Sequence, residues 1–126
     1  MAGSFKDLRV WQRSIELSPA IYRLTAHFPD SEKFGLTNQM RRASVSISSN
    51  IAEGAGRTTT GEFVLFLGNA QGSCFELQSQ LVIVKGLELT TATKQEELES
   101  LCNEIGRLLA LLIKSLKANP PRPRSR

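Results

Sequence analysis

Around residues 59 and 60 the polar side chains of this sequence repeat in reverse order. Outward from that centre, Arg57 mirrors Glu62, Asn50 mirrors Asn69, Ser46 mirrors Ser73, Arg42 mirrors Glu76 with an offset of one, and Gln39 mirrors Gln80. An α-helix turns ~100° per residue. Gln39, Arg42, Ser46, Asn50, Glu53 and Arg57 therefore fall on one side of a helix, and Glu62, Asn69, Ser73, Glu76 and Gln80 make a matching stripe on the next. An antiparallel helical hairpin brings the two stripes face to face. This reading expects a polar ladder that fixes helix register, with Arg42 and Glu76 forming an ion pair in the seam.

Proline and glycine divide the chain into four helical segments. The first spans about residues 7–27, with Leu8, Trp11, Ile15, Leu17, Ile21, Leu24 and Phe28 at helical spacing and Pro19 expected to kink it or remove a hydrogen bond. The second spans about 31–55 on a seam of Leu36, Met40, Ala43, Ile47 and Ile51, and Gly54 and Gly56 close it. Thr59 and Glu62 form a capping box for the third. Its seam of Phe63, Phe66, Leu67, Ala70, Cys74, Leu77, Leu81 and Val84 keeps the three-four alternation of bundles. The fourth is expected to start at a second box, Thr93 to Glu96, and carries Leu98, Leu101, Ile105, Leu108, Leu109, Leu112, Ile113 and Leu116. No segment alternates like a strand, so the expected fold is an all-α four-helix bundle.

The third helix has a second apolar face. Val64, Leu65, Phe75, Val82 and Ile83 point away from its seam, with the small residues Gly68, Gly72 and Ser79 among them. A helix in a lone bundle needs one apolar stripe. Either the rest of the chain covers this face or another subunit does. We expect a subunit interface at Val64, Leu65, Gly68, Gly72, Phe75, Val82 and Ile83, because left open it invites aggregation.

At 126 residues the chain is expected to be one bundle domain over residues 1–119, followed by a flexible Pro/Arg tail over 120–126. The formal charge of +4 looks like a nucleic-acid signal, but three of the 16 basic residues, Arg122, Arg124 and Arg126, lie in that tail. Residues 1–119 keep 13 positive against 12 negative charges, a net of +1. The absence of an apolar run near ~18 residues argues against a membrane span, and without a charged-then-apolar leader a cytoplasmic location is expected. Cys74 and Cys102 sit in apolar periods and read as buried small hydrophobes.

No catalytic set emerges. Gly56 to Gly61 imitates phosphate-loop spacing, but Glu62 stands where the lysine belongs and a helix precedes it. His27 is the sole histidine, at a helix end, which leaves no natural triad. Glu53, Glu62 and Glu76 suggest a di-metal bundle, yet such sites need paired Glu-x-x-His motifs. No enzyme activity, metal or cofactor is expected.

Val10-Trp11-Gln12, Ile21 to Thr25, Phe28-Pro29, Phe34-Gly35-Leu36, Gln39 to Ala43, Ser46-Ile47, Ser49 to Gly54, Gly56-Arg57, Glu62-Phe63, Phe66-Leu67, Ala70, Gly72-Ser73 and Glu76-Leu77 closely resemble a bacterial four-helix-bundle family. That family is named for open reading frames within 23S rRNA intervening sequences, and is sometimes labelled S23 ribosomal protein. The resemblance covers about residues 5–117; Pro19 and the tail depart from its pattern. It implies a left-handed up-down-up-down bundle, a ring-like homopentamer, and a distant likeness to the accessory protein of diversity-generating retroelements, which works with a reverse transcriptase and nucleic acid. It implies no catalysis. The expectation is an oligomeric binding module for RNA or a nucleic-acid enzyme, with Arg41, Arg57 and the tail arginines as contacts; the rival is a structural or protein-interaction scaffold.

Overall fold

The computed structural model describes residues 3–118. They form α1 (Arg9–Thr25), α2 (Asn38–Ala55), α3 (Thr60–Gly86) and α4 (Ala92–Ala118). Each helix packs on its neighbour in sequence, and α1 also meets α4, which closes the bundle around one core. Close approaches step in opposite directions along paired helices: Gly54 meets Phe63 while Ser46 meets Ser73, and Cys74 meets Cys102 while Leu81 meets Gln95. Both α2–α3 and α3–α4 are therefore antiparallel hairpins.

The core follows four-three spacing on every helix. In α1 it is Val10, Ser14, Leu17, Ile21 and Leu24, continuing to Phe28 beyond the helix end. This corrects the expected seam, since Ile15 is 41% exposed and Trp11 sits half-buried, edge-on to Phe5. The phase is set by Ser14, which is tolerated in the core because its hydroxyl donates to the Trp11 carbonyl at 2.7 Å. Pro19 lies on the exposed side, and α1 runs through it unbroken.

The second helix starts later than expected. A short 3-10 turn at Asp30–Glu32 and a wide π turn at Lys33–Thr37 precede it, because Gly35 takes a non-helical backbone. Gly54 is an interior residue of α2 and does not close it: a Cβ there would lie 2.7 Å from Phe66 Cβ and 3.0 Å from the Phe63 ring. Its missing side chain lets α2 and α3 approach closely beside their turn.

Thr59 caps α3 as expected, its hydroxyl accepting from the Glu62 N–H at 3.2 Å. The Glu62 carboxylate accepts from the hydroxyls of Thr58 and Thr59, so the reciprocal half of the box is made by side chains. The helix ends in a Schellman pair, Glu88 N–H to Lys85 O and Leu89 N–H to Val84 O, with Glu88 in the left-handed region at φ 54°. The cap of α4 is Thr91, not Thr93, its hydroxyl accepting from Lys94 N–H at 3.2 Å. That start turns Gln95 into the core, where its amide donates to the Leu81 carbonyl at 2.8 Å and joins α4 to α3. Among the described residues no helix is long and apolar enough to cross a membrane.

Candidate functional site: a groove on helices 1 to 3

The ladder meets at one rung. Ser73 Oγ donates to Ser46 Oγ at 2.9 Å across α2 and α3, and Asn50 Nδ2 donates to the same oxygen at 3.0 Å and to the Ser46 carbonyl. Small side chains facing each other across the seam can touch without ordering long stems.

The other rungs find different partners. Arg42 and Glu76 are exposed and line the same groove, but no ion pair joins them. This corrects the expected seam pair; Glu76 instead receives a long 3.5 Å contact from Gln80 Nε2, one turn along α3. Arg57, in the turn after α2, binds Glu53 of the last turn of that helix at 2.8 Å and lies 4.7 Å over the Phe66 ring, while Glu62 serves the α3 cap. Gln39 and Asn69 are exposed, whereas Gln80 is buried. The cause is local geometry. A partner four residues away on one helix is held near by the backbone, but a cross-helix pair must immobilise two long side chains.

The groove has a volume of about 770 Å³ and is lined by Tyr22 from α1, Asn38, Arg41, Arg42, Ala43, Val45 and Ser46 from α2, and Ser73 and Glu76 from α3. Arg41 is fixed within it. Its Nε donates to the buried Thr25 hydroxyl at 2.8 Å, its Nη2 donates to the Tyr22 carbonyl at 3.3 Å, and its guanidinium lies 4.6 Å from the Tyr22 ring centroid. Tyr22 is 43% exposed, and it lines the wall of the groove. Nothing in the local sequence announces a contact across 19 residues.

On the outer side of α3, Leu65, Phe75, Val82 and Ile83 are exposed and Val64 is half-buried. An added Cβ at Gly68 or Gly72 meets nothing within 4 Å. The rest of the described chain does not cover this face.

A family model for 23S rRNA-intervening sequence proteins matches residues 6–111. The chain belongs to that family. A crystal structure of an S23 ribosomal protein family member of unknown function from Bacteroides thetaiotaomicron VPI-5482 superposes on it with a TM-score of 0.79. The two are 27% identical over 86% of this chain and 98% of the other. No curated protein matches the chain.

Two long-range features of this 23S rRNA-intervening sequence protein were not legible from spacing. Cys74 and Cys102 are both buried, with their sulfurs 3.8 Å apart across α3 and α4. The thiol contact with Cys74, reinforced by burial, pushes the Cys102 thiol far above its ordinary range. Glu104 on α4 receives Arg13 at 2.8 Å and Arg9 at 3.2 Å from α1. The hydrogen bond from Arg13 holds the Glu104 carboxyl below its usual range. Arg122, Arg124 and Arg126 lie outside the described residues.

Proposed function

We propose that this chain is a non-enzymatic binding module that assembles with copies of itself through the outer face of α3 and contacts nucleic acid through arginines. The observation that carries the reading is the exposure of Leu65, Phe75, Val82 and Ile83 on a helix whose opposite face already fills the core. Apolar surface of this kind marks an interaction site, and the bare backbone at Gly68 and Gly72 lets a second subunit come close. A ring of five follows from the family resemblance alone.

For the nucleic acid, Arg42 in the groove and the tail arginines supply charge, while Arg41 and Arg57 are partly engaged within the chain. A body with a net charge of +1 over residues 1–119 gives weak attraction per subunit, which a ring multiplies and salt screens. The second reading is a scaffold without nucleic acid, favoured by that near-neutral body. Light scattering at micromolar concentration, paired with salt-titrated RNA binding by the full chain and by a chain ending at residue 119, tests the proposal. A monomer would refute assembly. RNA binding absent even at low salt hands the function to the scaffold reading.

A further inference from the structure

In the groove on helices 1 to 3, the donors of Arg41, Arg42 and Ser46 share a lining with one carboxylate, that of Glu76. A guanidinium has five N–H donors, and Arg41 uses two of them, on Thr25 and on the Tyr22 carbonyl. The guanidinium, held over the Tyr22 ring, is fixed in place and partly unspent. Arg42 beside it is exposed and makes no hydrogen bond or ion pair among the described residues. Ser46 Oγ accepts from both Ser73 and Asn50, which occupies its two lone pairs and leaves its own proton to donate. Glu76 supplies the acceptor, since its carboxylate is exposed and holds only the long contact from Gln80.

We propose that this groove binds a guanine nucleotide. Arg42 and the Ser46 hydroxyl take the phosphate, the base continues the Arg41–Tyr22 stack, and the Glu76 carboxylate accepts from the Watson–Crick edge. A carboxylate only accepts, and guanine alone among the four common RNA bases offers it two adjacent donors, N1–H and the N2 amino group. Adenine and cytosine set one amino group beside a ring acceptor, and uracil flanks its N–H with two carbonyls that a carboxylate repels. Bases stack on aromatic rings and on guanidinium planes alike. The volume of about 770 Å³ falls within the ~300–1,000 Å³ of small-molecule sites. A phosphopeptide would satisfy Arg42 but leave both the stack and Glu76 unused. A free mononucleotide and a nucleotide within a single strand present the same chemistry; in the second case the inference rests on the nucleic-acid half of the function proposed above.

The test titrates the full chain with GMP, AMP, CMP and UMP, following amide shifts of residues 38–46 and 73–76. GMP should bind about tenfold or more tighter than UMP, the discrimination a bidentate base contact provides. E76Q should erase that preference while retaining base-blind affinity. R42A should weaken every nucleotide and lower the slope of log affinity against log salt by about one. Both residues are exposed, so helical circular dichroism should be unchanged. Equal affinity for GMP and UMP, or GMP binding indifferent to both substitutions, overturns the inference.

Short single-stranded RNAs separate the two sources. Guanine-containing strands that bind tighter than GMP and lose the gain in E76Q identify a strand as the ligand. GMP binding without any RNA binding keeps the groove and removes the nucleic-acid reading. RNA binding that ignores E76Q and R42A but vanishes without residues 120–126 does the reverse.

Discussion

Helix α3 carries two apolar faces on one backbone, and the fold uses only one. On the inner face Leu67, Ala70, Cys74, Leu77 and Val84 are fully buried. On the outer face Leu65, Phe75 and Val82 are each more than half exposed. The residue types are the same, so hydrophobicity does not separate the faces; the unbroken four-three spacing of 63, 67, 70, 74, 77, 81 and 84 does. An apolar residue off that spacing stays out of the core of its own chain, and any full burial would have to come from a partner.

The contrast breaks first at its inner side. Leu77→Ala should cost about 2–5 kcal/mol of unfolding free energy in urea, as a fully buried leucine leaves a cavity. Gly54→Ala should follow at about 1–3 kcal/mol, because its new Cβ collides with Phe66 and the hairpin must open. A neutral outcome there would mean that α2 and α3 are not pressed together at the turn.

Glu104→Gln should cost about 1 kcal/mol, since the link between α1 and α4 is half-exposed. Its pH behaviour has a sign. The folded state lowers the Glu104 pKa, so the stabilisation is complete above the ordinary glutamate value of ~4.3 and fades as pH falls through the lowered value. In acid melts the unmodified chain should lose more stability over that window than Glu104→Gln does.

The smallest intramolecular effect belongs to the outer face. Phe75→Ser, measured at a dilution where subunits are apart, should change stability by less than ~0.5 kcal/mol. At micromolar concentration the same substitution should lower the mass seen by light scattering. If it instead costs as much as Leu77→Ala in the dilute chain, the two faces are not different.

How much was legible depended on how regular the signal was. The inner face of α3, its Thr59 cap and the turn after α2 could be read directly, because each is a local rule repeated without interruption. The α1 seam was misplaced onto Trp11 and Ile15, since a buried Ser14 hides the true phase from any count of apolar residues. The start of α4 was misplaced because Thr93 with Glu96 has the local pattern of a capping box; the structure instead caps the helix at Thr91, with Gln95 turned inward. In the groove, Arg42, Ser46, Ser73 and Glu76 stood out by their mirror order, while nothing in the spacing marked Tyr22 as their neighbour.

By itself the sequence determined four helices, most of the core positions outside α1 and the hairpin that brings residue 46 to residue 73. These follow from backbone periodicity and from where proline, glycine and threonine interrupt it. Which charges pair was left to the tertiary structure. Arg42 and Glu76 share a groove without touching, Arg57 turns back to Glu53, and Arg13 reaches across 91 residues to Glu104. An ion pair depends on separations of a few ångströms and on side-chain entropy, and neither quantity is expressed in residue spacing until the helices have packed.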